Sequence, residues 1–101
     1  GESLLQFAER QLADLATQMK GYQVVLAPTP LAAIPGGSEA LEFAGAFSQN
    51  GQGIHQRQAA LQIADTRRVL IATMSGFEPF DAQAIQAWSL VIRSIQLREK
   101  N

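Results

Sequence analysis

Apolar residues at Leu5, Ala8, Leu12, Leu15, Ala16 and Met19 recur every three or four positions, which predicts one buried stripe of a helix over residues 4–20. Ser3 and Gln6 have the spacing of a capping box, a device that satisfies amides left without partners in a first helical turn. Lys20 complements the carboxyl end and Gly21 supplies a left-handed exit. Gln11 falls at the border of the stripe, near Leu4 and Leu15. Beyond Gly21 the period shortens to two. Residues 22–27 read as a short strand closed by Pro28 and Pro30, which cannot sit in a central ladder. Residues 34–38 read as a turn around Gly36 and Gly37. Over 39–47, Leu41, Phe43 and Phe47 point one way and Glu42 and Ala44 the other.

Residues 49–53 have hairpin-loop chemistry and lead into a strand over 53–60. A tight turn at 65–68 precedes the most apolar run, 69–75, which reads as a central strand. A second helix is predicted over 82–94. Asp81 is its cap, and Phe80 and Ile85 have the spacing of a hydrophobic staple. Ile85, Trp88, Val91 and Ile92 are expected to face inward, with Gln83, Gln86 and Arg93 as a narrow polar stripe. Residues 95–97 read as a short final strand. The order predicts an α+β fold, an antiparallel sheet of about four strands flanked by two helices, in a single domain over 1–101.

The strand over 53–60 departs from the usual apolar-in, charged-out alternation. Ile54, Gln56, Gln58 and Ala60 share one face, and His55, Arg57, Ala59 and Leu61 share the other. The first face sets an apolar residue beside two uncharged amides, each able to donate and accept hydrogen bonds. That suits contact with something apolar that still carries a few polar groups. It is the pattern of a binding surface, not of a reaction centre.

Composition narrows the classes. A formal net charge of -1 gives no electrostatic footprint for nucleic acid or an anionic membrane. The absence of cysteine excludes a disulfide scaffold, a thiolate metal site and a cysteine nucleophile, and fits a reducing cytoplasm. The apolar runs fall short of the roughly 20 residues that span a bilayer, so no membrane insertion is expected. His55 stands alone, with no second histidine or clustered carboxylates, and reads as a half-exposed strand residue rather than a metal ligand or base. Gly36-Gly37 lacks the Lys-Ser/Thr pair of a phosphate loop. Glu39 and Glu42 read as solvated, and Trp88 as core. No enzyme activity, cofactor or metal is expected.

Several short motifs, taken together, carry a resemblance. Gly-Glu-Ser-Leu at 1–4, Glu-Arg-Gln-Leu at 9–12, Lys-Gly-Tyr at 20–22, His-Gln-Arg-Gln-Ala at 55–59 and Val-Leu-Ile-Ala-Thr at 69–73 resemble the DcrB-like proteins of Gram-negative bacteria. Within these they resemble the Eag chaperones of type VI secretion. Phe80, Trp88, Ser94 and the short closing strand fit the same pattern. The resemblance implies a Mog1/PsbP-like fold, a homodimer, and a cytoplasmic chaperone that holds the hydrophobic N-terminal helices of a secreted effector before export. It places effector contacts at Gln11, Leu15, Ile54, Gln56 and Gln58. Members of that family carry further strands before the Gly-Glu-Ser-Leu motif, which would make residues 1–101 the C-terminal two-thirds or so of a larger domain. A second reading is a DcrB/PsbP-like accessory domain with an unrelated protein or small-ligand partner.

Overall fold

Both periods form where the sequence places them. A computed structural model of the chain describes residues 2–32 and 35–95. Its elements run α1 (Leu4–Gln18), β1 (Gln23–Leu31), β2 (Gly37–Gln49), β3 (Gln52–Ile63), β4 (Val69–Gly76) and α2 (Ala82–Ser94). The strands form one antiparallel sheet in the order β1-β2-β3-β4. The fold is α+β, as expected.

Local chemistry explains the ends of these elements. The Ser3 side chain accepts from the Gln6 amide at 3.1 Å, and the Gln6 side chain accepts from the Ser3 amide at 2.9 Å, closing the capping box. Asp81 accepts from the Ala84 amide at 2.8 Å and caps α2. β2 and β3 are joined by Asn50 and Gly51, with φ of 53° and 78°. Two successive residues at positive φ match the twist of paired strands, and Asn-Gly is the pair that tolerates them best.

Antiparallel partners share a face, so the register sorts the side chains into two layers. On one face, Leu41, Phe43 and Ala60 pack with Leu4, Ala8 and Leu12 of α1, joined by Phe7, Tyr22 and Val69. On the other, Ala40, Ala59 and Leu61 pack with Trp88 and Ile92 of α2, joined by Leu31, Ala72, Met74 and Ile95. The helices therefore cover opposite faces of the sheet.

Five expectations change. Leu5 is 48% exposed and Ala16 is exposed, so the buried stripe of α1 is Leu4, Ala8 and Leu12 with Phe7 beside it, the side of the helix that packs on Leu41, Phe43 and Ala60. β4 is an edge strand, not a central one. Its apolar residues are only partly used: Val69 packs against the α1 cluster and Ala72 and Met74 against the α2 cluster, while Leu70 and Ile71 stay 40% and 37% exposed. β1 runs through Pro28 and Pro30 instead of closing before them, because it forms the other edge and an edge strand needs no amide on its free side. Val91 is 57% exposed, as is Leu90: α2 meets the sheet along a single stripe, Trp88 and Ile92, and its flank stays bare. Glu42 is not solvated. Its side chain is 14% exposed and lies between the sheet and α2, where Arg57 and Trp88 reach it, whereas Glu39 is exposed as expected. The strand expected over 95–97 extends past Ile95, outside the described residues, as does Ile34 of the expected turn.

Candidate functional site

The register puts Ile54 opposite Phe47, Gln56 opposite Gly45, and Gln58 opposite Phe43 on β2. On the other side Gln56 faces Ser75 and Gln58 faces Thr73 of β4. Ile54, Gln56 and Gln58 therefore form one row on the α1 face. α1 rests mainly on β1 and β2, so the β3–β4 half of that face stays open. Thr73 and Ser75 are exposed, Ile71 is 37% exposed, and the row itself is half-buried.

The glutamines are unspent. Among the described residues, the side-chain amides of Gln56 and Gln58 make no hydrogen bond to protein, unlike Gln62, which donates to the Thr66 and Arg68 carbonyls at 2.7 and 3.2 Å. Neither is sealed off, since no fully buried side-chain nitrogen or oxygen lacks a partner among the described residues. Half-buried amides without protein partners can bond to an incoming backbone or small polar side chain without first breaking an internal bond. No formal charge sits in the row. The surface is thus neutral, partly apolar and rich in two-way hydrogen-bonding groups.

A wall borders it at the Phe47 end. Tyr22 follows the exit from α1 and lays its ring directly on Gly45, in the place a side chain at that position would take. The ring also stacks on Phe47, with centroids 6.3 Å apart and planes at 22°. Burial disfavours the charged phenolate and pushes the Tyr22 phenol above its ordinary pKa. The sequence carried a signal for this contact: a glycine inside an alternating strand marks a close approach by another group.

Gln11 and Leu15 stand on α1 beside the row rather than in it, and both are half-buried. Phe7 leads the flank of α1 that turns toward β4. With Val69 and Gln62 it borders an open cavity of about 630 Å³ at the start of the helix. Gln11 lies one turn further along that flank, and Leu15 follows nearer the buried stripe. The structure therefore unites Ile54, Gln56 and Gln58 on one surface and sets Gln11 and Leu15 along its border.

The opposite face holds a different arrangement, which the sequence reading missed. Arg57 Nε and Nη2 reach the two carboxylate oxygens of Glu42, each at 3.1 Å, and Trp88 Nε1 donates to Oε2 at 3.3 Å. Arg57 shares its face with Ala59 and Leu61, and a cation on an apolar face requires a partner. That was the available signal. His55 lies on this side too, half-buried, at a cavity of about 280 Å³ that Arg57, Phe80 and Ile85 also line. Among the described residues, no helix is long and apolar enough to cross a membrane, and no cluster of three histidines, cysteines or carboxylates could hold a metal ion.

No curated protein matches the chain. The family model described as DcrB matches residues 1–94, and the chain belongs to the DcrB family.

Proposed function

We propose that this chain is a non-enzymatic chaperone of the Eag type, which shields hydrophobic transmembrane segments of a type VI secretion effector in the cytoplasm before export. The observation that supports the reading is the row of Ile54, Gln56 and Gln58, whose amides have no protein partner among the described residues and lie on an open face. A membrane-destined helix in water needs its apolar side covered, and its small polar interface residues need hydrogen bonds. Side chains that alternate apolar and amide groups supply both, as neighbouring helices do in a bilayer. In this reading Ile54 contacts the apolar stripe of the effector helix, Gln56 and Gln58 bond to its polar groups, and Gln11 and Leu15 hold its flank. Membership of the DcrB family is compatible with this role and equally with an accessory binding domain.

The test is co-expression with the N-terminal region of an effector encoded beside this gene, followed by purification through a tag on the chain. The proposal expects a stable complex that loses its effector when the predicted membrane segments are deleted. Recovery of the effector without those segments would point to the accessory-domain reading instead.

A further inference from the structure

His55 and Arg57 alternate with the two glutamines along β3 and so face α2, where the proposed function makes no use of His55. His55 is half-buried, and among the described residues its ring makes no hydrogen bond to protein. It lines the cavity of about 280 Å³ on that face, where Ala44 of β2 gives part of the floor and Val25, Phe80 and Ile85 give apolar walls. Two local devices set the wall nearest α2. Phe80 and Ile85 have the spacing of a hydrophobic staple around the Asp81 cap. Gly76 lies opposite His55 in the register, and a Cβ there would come within 3.2 Å of the Phe80 ring, so the absent side chain leaves that ring its place. The lining comes from β1, β2, β3 and the segment that enters α2, so the cavity needs no free edge of the sheet.

We propose that this cavity binds a small aromatic carboxylate, its ring against Ala44, Val25, Phe80 and Ile85 and its carboxylate on His55 and Arg57. Charge selects the carboxylate. The cavities bordered by Glu2, by Glu39 and by Glu42 each include an acidic side chain, whereas the ionisable side chains that line this one, His55 and Arg57, are both hydrogen-bond donors. Of the five guanidinium N–H groups of Arg57, two reach Glu42, and the others have no protein partner among the described residues. Glu42 also fixes the guanidinium, so little freedom is lost when a second carboxylate arrives. Size selects the ring. An apolar cavity of roughly 150 Å³ holds benzene. Nearly twice that volume leaves room for a ring, a carboxylate and one methylene between them, as in phenylacetate. Phe80 offers such a ring an aromatic neighbour. The cavity and the row of Ile54, Gln56 and Gln58 lie on opposite faces of the sheet, so the proposal does not rest on the chaperone reading.

The chain has one histidine, so the ring resonances of His55 report on this cavity alone. Titration with phenylacetate at constant pH should shift them saturably, with a Kd of roughly 1–10 mM, the range for about ten non-hydrogen atoms at the efficiency of drug-sized ligands. Phenylacetamide has the same shape without the charge and should bind about tenfold more weakly, the loss of one charge-assisted hydrogen bond. Acetate carries the charge without the ring and should not saturate over the same range. Ligand-observed NMR on His55→Leu, checked for folding by circular dichroism, should show phenylacetate reduced to the affinity of the amide. The comparison of acid and amide uses the unmodified chain and decides the question even where that variant does not fold. No saturable shift of His55, equal affinities for acid and amide, or undiminished phenylacetate binding by folded His55→Leu would overturn the proposal.

Discussion

Arg57 meets Glu42 through two parallel contacts of 3.1 Å across neighbouring strands, beside the apolar cluster of Ala40, Ala59, Leu61, Trp88 and Ile92. The side chains are 12% and 14% exposed, so the pair is largely withdrawn from water. Removing one partner strands the other charge. Arg57→Met should cost about 3 kcal/mol, the low end for breaking a buried ion pair. Glu42→Gln should cost a similar amount. The double variant should lose much less than the sum, because no charge is left unpaired. Urea unfolding of the four proteins measures this coupling, and strict additivity would mean that the pair acts as two solvated charges.

Trp88 closes the same arrangement. Trp88→Ala removes a 6%-exposed side chain from the α2 interface and should cost about 3–5 kcal/mol. Trp88→Phe retains much of the packing but not the donor to Glu42, and should cost roughly 1 kcal/mol beyond any repacking. Losses well under 1 kcal/mol for Trp88→Ala in denaturant unfolding would place Trp88 on the surface.

Gly45 leaves room for a ring rather than for a turn. A methyl group there would occupy the space of the Tyr22 ring, so Gly45→Ala should destabilise by about 1–3 kcal/mol, as overpacking does. Combining it with Tyr22→Ala should recover part of that loss. Thermal unfolding of the single and double variants checks the contact, and independent effects would contradict it.

Tyr22 also sets an alkaline limit. Its phenol is raised by burial, so the unfolded chain releases this proton at a lower pH than the folded one. The stability tied to the protonated phenol is complete below about pH 10, the ordinary tyrosine value, and is lost as pH rises through the folded value. The chain has one tyrosine, so absorbance at the tyrosinate band reads this titration alone. Tyr22→Phe should flatten the alkaline decline.

At the start of α1 the sign reverses. Arg10 bonds to Glu2 through both carboxylate oxygens, at 3.0 Å each, and holds that carboxyl below its usual value. Any contribution from the pair is present at neutral pH and fades as pH falls through the acid range. Both side chains are well exposed, so salt should weaken it.

Local signals made most of the fold legible. The capping box, the Asp81 cap and the Asn50-Gly51 hairpin rest on neighbours close in sequence and formed as read, whereas the buried stripe of α1 runs through Leu4, Ala8 and Leu12 and leaves Leu5 48% exposed. Edge and centre were not legible, because they depend on which strands meet. β4 looks central from its composition, yet it is an edge whose Val69, Ala72 and Met74 pack against the two cores while Leu70 and Ile71 stay exposed. Pro28 and Pro30 were read as an end, although the same physics permits them on an edge. The shared face of Ile54, Gln56 and Gln58 followed directly from the two-residue period. The bond between Glu42 and Arg57 did not, because it needs the register of two strands.

The central claim is that the row on β3 receives an apolar helix. Its most direct measurement is the affinity of a synthetic transmembrane-segment peptide for the chain and for two variants, Gln56→Ala/Gln58→Ala and Ile54→Asp, with thermal unfolding in parallel. The glutamine amides have no protein partner among the described residues, so the double variant should fold as well as the parent while its affinity falls by about 0.5–1.5 kcal/mol per lost hydrogen bond. Ile54→Asp should weaken binding further, since an unpaired charge would be desolvated against the peptide. Affinity unchanged in both variants, with folding intact, would contradict the claim.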